Sequence, residues 1–204
     1  MKITAIKQQV KNPERASVFV DGKYSFSLTL DQLIDQKLKK DLVLDEGKVK
    51  KLKKLSDEGK IRNRTLEWLL NRPHSERELR DYLFKKKCEK ELIDALVEEF
   101  KDRKYLDDEA FTSWFIDVRK RKNKSKRAIE SELRAKGVSP VTIQSIVIET
   151  ETNGGEKDSL ITLVNKLSSR TRYKDETKLI AYLISKGFRY PDIKEVLNEL
   201  KIND

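Results

Sequence analysis

Leu79, Ile129 and Leu179 stand 50 residues apart, and the same interval relates Leu83, Leu133 and Leu183, then Ile93, Ile143 and Ile193, then Val97, Val147 and Leu197. The shared register covers three ungapped blocks of 26 residues, Ser75–Phe100, Ser125–Thr150 and Asp175–Leu200. Self-similarity at a fixed period marks one supersecondary unit laid down in tandem. Within each block an apolar pair four residues apart is followed by a break near Lys87, Gly137 or Gly187. A second set then follows at i, i+3, i+4, as in Ile143, Ile146 and Val147. This spacing predicts helix, turn, helix.

A further helix is predicted ahead of each block, at Gly59–Asn71, Asp108–Lys120 and Lys157–Leu167. In the second, Phe111, Trp114, Phe115 and Val118 share a face and Asp107 is the expected N-cap. Ser75 with Glu78 has the form of a capping box, and Pro140 and Pro191 stand at first-turn positions. Gly137 and Gly187 fall where a left-handed cap is needed. Lys87 fills that slot in the first block at a cost of about 1 kcal/mol relative to glycine, which suggests a different turn there. Asn153-Gly154-Gly155 is the expected linker between the second and third repeats.

The opening segment has another rhythm. Ile3–Val10, Ala16–Val20 and Tyr24–Leu28 read as strands, with Asp21-Gly22 turning the second into the third. So small a sheet must lean on a neighbour. The expected one is a helix from Asp31 with Leu33, Ile34 and Leu38 on its apolar side. Val49, Leu52, Leu55, Ile61, Leu66, Leu69 and Leu70 continue as helix from Asp45 to about Asn71, which Gly59 divides or kinks. The fold class is therefore mainly α: tandem three-helix bundles behind a small antiparallel β element. The partition is 1–58, 59–106, 107–154 and 155–204.

Composition changes the picture in two respects. Charged residues make up 39% of the chain and hydrophobic ones 37%, which suits an extended row of modules better than one sphere with a central active site. The formal net charge of +10 favours an anionic partner: nucleic acid, an acidic protein groove, or both. No apolar run is long enough to span a bilayer and the N-terminus lacks a signal-peptide core, so a cytoplasmic protein is expected. The one cysteine, Cys88, fits a reducing compartment.

Catalytic chemistry finds little support. His74 lies beside Ser75 and Glu76, but it is the only histidine, and Ser75 already has a capping role. Cys88 aligns with Val138 and Phe188 and reads as a small buried residue. Asp107, Asp108 and Glu109 read as helix-start charge. No cofactor or metal is expected. The basic run is more informative: from Arg119 to Arg127 seven of nine residues are Lys or Arg, namely Arg119, Lys120, Arg121, Lys122, Lys124, Lys126 and Arg127. Arg134 and Lys136 extend it, and smaller groups stand at Lys85, Lys86 and Lys87 and at Arg170, Arg172 and Lys174. Such a run is either a solvated face or a surface whose self-repulsion a bound anion relieves.

Arg72-Pro73-His74-Ser75-Glu76-Arg77-Glu78-Leu79-Arg80, then Tyr105-Leu106-Asp107-Asp108-Glu109-Ala110-Phe111 leading to Trp114, then Glu132-Leu133-Arg134-Ala135-Lys136-Gly137-Val138 resemble the bacterial RecX regulatory proteins in order and spacing. The resemblance spans about Arg62 to Leu200, and the N-terminal β segment is similar to the extension of longer members. His74 departs from an expected basic residue and Lys87 from an expected glycine. The resemblance implies a non-enzymatic modulator of the RecA recombinase, a curved array of three-helix modules lying in the groove of the RecA–DNA filament. It implies effects on ATP hydrolysis, strand exchange and coprotease activity. The expected partners are the RecA filament and single- or double-stranded DNA, without membrane, for a monomeric chain. A basic protein that acts on DNA directly is the alternative.

Overall fold

The computed structural model describes residues 1–150 and 155–202, with side-chain surroundings for all of these but 148–150, 201 and 202. The chain divides into two compact units, Met1–Asn71 and Arg72–Asp204.

In the first unit β1 (Ile3–Gln8), β2 (Arg15–Val20) and β3 (Lys23–Thr29) form an antiparallel sheet in the order β1-β2-β3. Asp21 and Gly22 turn β2 into β3 with φ of 49° and 79°, the paired positive values of the hairpin turn that matches strand twist. Thr29 begins α1 (Leu30–Asp35) with a complete capping box to Gln32. Ile3, Val18, Phe26, Leu28, Leu33, Leu38, Val49 and Leu52 share one core. Ile34, expected on the apolar side, is exposed, because a helix of six residues turns only part of its circumference inward. Leu70 is exposed as well.

From Asp45, whose side chain accepts from the Lys48 amide, α2 (Glu46–Leu70) runs for 25 residues. Gly59 does not divide it, so the partition at 58/59 falls inside one helix. The glycine has a packing reason: a Cβ there would lie 3.0 Å from Nη1 of Arg15. Arg15 is buried, and its Nη2 donates to the Ser27 carbonyl at 2.8 Å; Ser56 on α2 accepts from the Ser27 amide at 3.0 Å. The Ser56 hydroxyl thus ties the sheet to the helix, while the guanidinium links β2 to β3 and packs beside Gly59. Burial pulls the Arg15 pKa down from its ordinary value, against an opposing effect of Tyr24.

The second unit is helical: α3 (Glu76–Lys85), α4 (Lys90–Asp102), α5 (Asp108–Arg121), α6 (Lys126–Ala135), α7 (Pro140–Thr150), α8 (Glu156–Ser168), a 3₁₀ turn at Thr171–Tyr173, α9 (Glu176–Ser185) and α10 (Tyr190–Ile202). Asp107 caps α5, accepting from the Glu109 and Ala110 amides. Pro140 opens α7, and Pro191 is one position later in α10. Of the expected linker, Asn153 and Gly154 lie outside the described residues, and Gly155 is the N-cap of α8.

The repeated register is the core. Leu79, Leu83, Ile93 and Val97 are buried, as are their counterparts in the other two blocks. The central module packs Phe111, Phe115 and Ile116 of α5 against Ile129, Leu133, Ile143, Ile146 and Val147, with Trp114 at the edge and Val118 half-buried. Leu160, Leu163, Val164 and Leu167 do the same for the third module.

Lys87 has φ of 60°, left-handed like Gly137 at 83° and Gly187 at 99°. Its turn carries the same bonds: the Cys88, Val138 and Phe188 amides donate to the carbonyls of Leu83, Leu133 and Leu183. The first block therefore uses the same turn, with a side chain where the others have none. Cys88 is half-buried rather than buried, and that burial pushes its thiol pKa up.

Candidate functional site

The basic run spans the end of α5, a four-residue connection and the start of α6. Only Lys122–Ser125 is loop. Five of its seven cations divide into two sets. Arg119 is half-buried, its guanidinium 4.5 Å from the Phe115 ring centroid and its Nε 2.5 Å from Oε2 of Glu132. Lys124 lies 3.7 Å from the same carboxylate and donates to the Ser185 carbonyl at 3.4 Å. These two cations anchor the connection. Arg121, Lys122 and Arg127 are exposed. Lys126 and Arg127 stand in the first turn of α6, which has no acidic residue there, so two positive charges face the positive end of a helix dipole.

Glu132 has no local-spacing signal in the chain, but the repeat register marks it. Its counterparts are Tyr82 and Tyr182, whose rings lie 5.5 Å and 4.9 Å beneath the ammonium groups of Lys86 and Lys186. The central module replaces that pairing, and its equivalent lysine, Lys136, reaches Glu78 at 2.7 Å.

Glu78 is the hub of the joint between the first two modules. Its carboxylate takes Arg72 at 2.9 Å, His74 Nδ1 at 3.1 Å and Lys136, while Ser75 accepts from the Glu78 amide at 3.2 Å. Only the hydroxyl half of the expected capping box is thus formed, and the acid turns to the cations. Burial pushes the Glu78 pKa up, but hydrogen bonds from Lys136 and Arg72 outweigh it and hold the group below the usual carboxylate range. Arg72 lies 5.0 Å over the Trp114 ring, and Asp108 accepts from the Glu76 amide at 2.9 Å. Burial pushes the Asp108 pKa up. Asp108 of the acidic run therefore joins modules, while Asp107 caps its own helix and His74 contacts the Glu78 carboxylate that Lys136 reaches across the joint.

The remaining candidates are dispersed. Lys85, Lys86 and Lys87 are exposed around the first turn, Arg134 pairs with Glu130 at 3.5 Å, Arg172 lies 5.7 Å from the Tyr173 ring, and Arg170 and Lys174 are exposed. A cleft of about 620 Å³ between the second and third modules brings Lys120, Lys124 and Lys126 near Lys166, with Glu156 and Asp158 in the same wall. Among the described residues no three His, Cys, Asp or Glu side chains gather as a metal site, and no described helix is long and apolar enough to cross a membrane.

Tandem three-helix modules joined through their turns, with an exposed basic connection in the centre, define a helical-repeat protein that presents surface to its partners. Profiles described as "Regulatory protein RecX N-terminal domain", "RecX, first three-helix domain" and "RecX, second three-helix domain" match residues 1–45, 62–100 and 107–145. Regulatory protein RecX of Listeria monocytogenes serotype 4b (strain CLIP80459) is 31% identical over 212 residues, covering 100% of this chain and 79% of the relative. That of Bacillus subtilis (strain 168) is 32% identical over 206 residues, covering 98% and 77%. The chain belongs to the RecX family of regulatory proteins. Its fold is that of a RecX crystal structure with a TM-score of 0.69 at 22% identity, covering 97% of this chain and 98% of the other. RecX from Lactobacillus salivarius gives a TM-score of 0.57 at 20% identity, covering 72% of this chain and 97% of that one.

Proposed function

We propose that the chain is a non-enzymatic cytoplasmic regulator of the RecA recombinase that lies as a monomer in the groove of the RecA–DNA filament. There it alters ATP hydrolysis, strand exchange and coprotease activity in DNA repair and the SOS response. The observation that carries this reading is the exposed set Arg121, Lys122 and Arg127 on the central module of a RecX-family chain. Like charges on a short connection and at a helix start repel one another, and phosphate or acidic side chains relieve that cost. Arg119 and Lys124 position the connection through Glu132. Lys85, Lys86, Arg134, Arg170, Arg172 and Lys174 contribute long-range attraction. The working partition remains an N-terminal extension to residue 58 and three modules beyond it, sharing α2 across the first boundary.

The test is RecA's DNA-dependent ATP hydrolysis as the protein is titrated in. A dose-dependent change in rate is expected, and an unchanged rate with unchanged filament persistence would sink the proposal. The net charge of +10 also favours a second reading, direct action on DNA. Capture of RecA before and after nuclease treatment separates the two, since a direct protein contact survives the loss of DNA.

A further inference from the structure

α1 turns two faces to different surroundings. Leu33 is buried in the core of the first unit with Leu38 from the turn that follows, whereas Leu30 and Ile34, four residues apart and so neighbours along one side of the helix, are exposed. Ile34 is 73% exposed. At the end of this stripe Leu33, Ile34, Lys37, Leu38 and Lys39 line an open hollow of about 360 Å³. The turn shapes it: Lys37 has φ of 50°, and the Lys37 and Leu38 amides donate to the Ile34 and Leu33 carbonyls, which returns Leu38 to the core beside Leu33.

One flank of the hollow is cationic. Lys37, Lys39 and Lys40 are exposed, and Lys48 of α2 is held alongside by a 2.5 Å bond from its Nζ to Oε1 of Gln36, with exposed Lys51 one turn further on. Over residues 36–54 eight lysines stand against three acids, of which Asp41 pairs with Lys2 and Asp45 caps α2. Among the described residues Lys37, Lys39 and Lys51 make no ion pair. Across the Leu30–Ile34 stripe from Leu33 the helical period places Asp31 and Asp35, both exposed.

An apolar stripe rimmed by charge is suited to recognition, since a buried anchor supplies affinity and the rim supplies steering. Three occupants differ in their fit. A phosphate backbone has no group for Ile34 and would meet Asp31 and Asp35 as well as the lysines. A second copy of this chain brings a formal charge of +10. A protein segment with bulky apolar side chains among acidic ones satisfies both stripe and lysines, and Asp31 and Asp35 turn its acidic side toward Lys37 and Lys39.

We propose that this face of the N-terminal unit docks an acidic segment of another protein, its apolar anchors on Leu30, Ile34 and the hollow and its carboxylates on Lys37, Lys39 and Lys51. The face lies on a different unit from the central basic connection, and its partner need not be RecA.

The test uses the full chain and a pool of short fluorescent peptides, each with two leucines at varied spacing among glutamates. Members of the pool should bind saturably. Ile34→Ala, which alters no charge, should weaken binding about tenfold, and replacing the leucines by serine should do the same. Lys37→Glu with Lys39→Glu should slow association and flatten its dependence on salt. All three side chains are exposed, so the variants should melt with the natural chain, and Lys39→Glu alone serves if the turn at Lys37 does not tolerate the change. Absence of saturable binding overturns the proposal, as does binding indifferent to Ile34→Ala or to the loss of the leucines. An equal loss on Ile34→Ala for a duplex oligonucleotide or for phosphatidylserine vesicles also overturns it, assigning the face to nucleic acid or to membrane.

Discussion

The sheet unit and the helical unit solve the same problem at different ranges. In Met1–Asn71 one core draws on all three strands and both helices, a buried guanidinium links two strands, and a serine hydroxyl ties the sheet to the long helix. In Arg72–Asp204 the second and third modules each close their own core, and neighbouring modules meet through turns, a serine and a few ion pairs. The lesson is that damage should spread differently. A lesion in the first unit has one core to disrupt, whereas a lesion in the second should unfold a module and reach its neighbours only through a joint.

The largest expected effect is in a module core. Leu133 is fully buried, so Leu133→Ala should cost about 2–5 kcal/mol through poorer packing and a residual cavity. Hydrogen exchange should show α5–α7 losing protection while β2 and β3 keep theirs. Uniform loss across both units would break the comparison.

Next come two glycines with positive φ and different surroundings. Gly22 has open space at its Cβ, so alanine there should cost about 1 kcal/mol of backbone strain alone. Gly187→Ala adds collision with Ala128 and Ser125 to that strain. It should cost clearly more in a denaturant melt and loosen α9 and α10 first. Equal losses at the two sites would mean that the joint carries no stability.

The Glu78 hub gives a pH test. Its folded-state pKa is below the ordinary value, so its contribution is present at neutral pH and is lost as pH falls below about 4.3 and through the folded pKa. Glu78→Gln should melt lower than the natural chain at pH 7, and the gap should narrow in acid. A pH-independent gap would show that the carboxylate's charge is not what the joint uses.

The smallest effect on stability is expected where function is proposed. Reversing Arg121, Lys122 and Arg127 to glutamate should leave the melting temperature nearly unchanged and weaken the effect on RecA. For each of these side chains that pairs with a phosphate, its removal should lower the salt slope of single-stranded DNA binding by about 0.7. Natural regulation by that folded variant would turn the search to Lys85, Lys86 and Arg170–Lys174.

The apolar registers, the helices of the repeats and the Asp-Gly hairpin were legible in the chain because local period and turn chemistry determine them. Leu79, Leu133 and Leu183 needed no knowledge of neighbours to be placed inside. What periodicity cannot carry is the partner across a joint: Glu78 meets a lysine 58 residues away, and Gly59 makes sense only beside Arg15. The basic run showed as charge, yet its division into anchors and exposed cations depends on Glu132, visible only as a break in the Tyr82, Tyr182 register. The shared turn at Lys87 was obscured because glycine preference is an energy of about 1 kcal/mol, which a folded context readily overrides.

Because the central block carries both Ser125 and Gly137 within one 50-residue repeat, a duplicate of that block arrives with its own serine and its own glycine turn. Genetic copying can therefore lengthen such an array in the middle without any new interface having to arise by mutation, whereas an insertion of a few residues inside a block would throw serine and glycine turn out of phase. Length in proteins of this construction should evolve in whole modules.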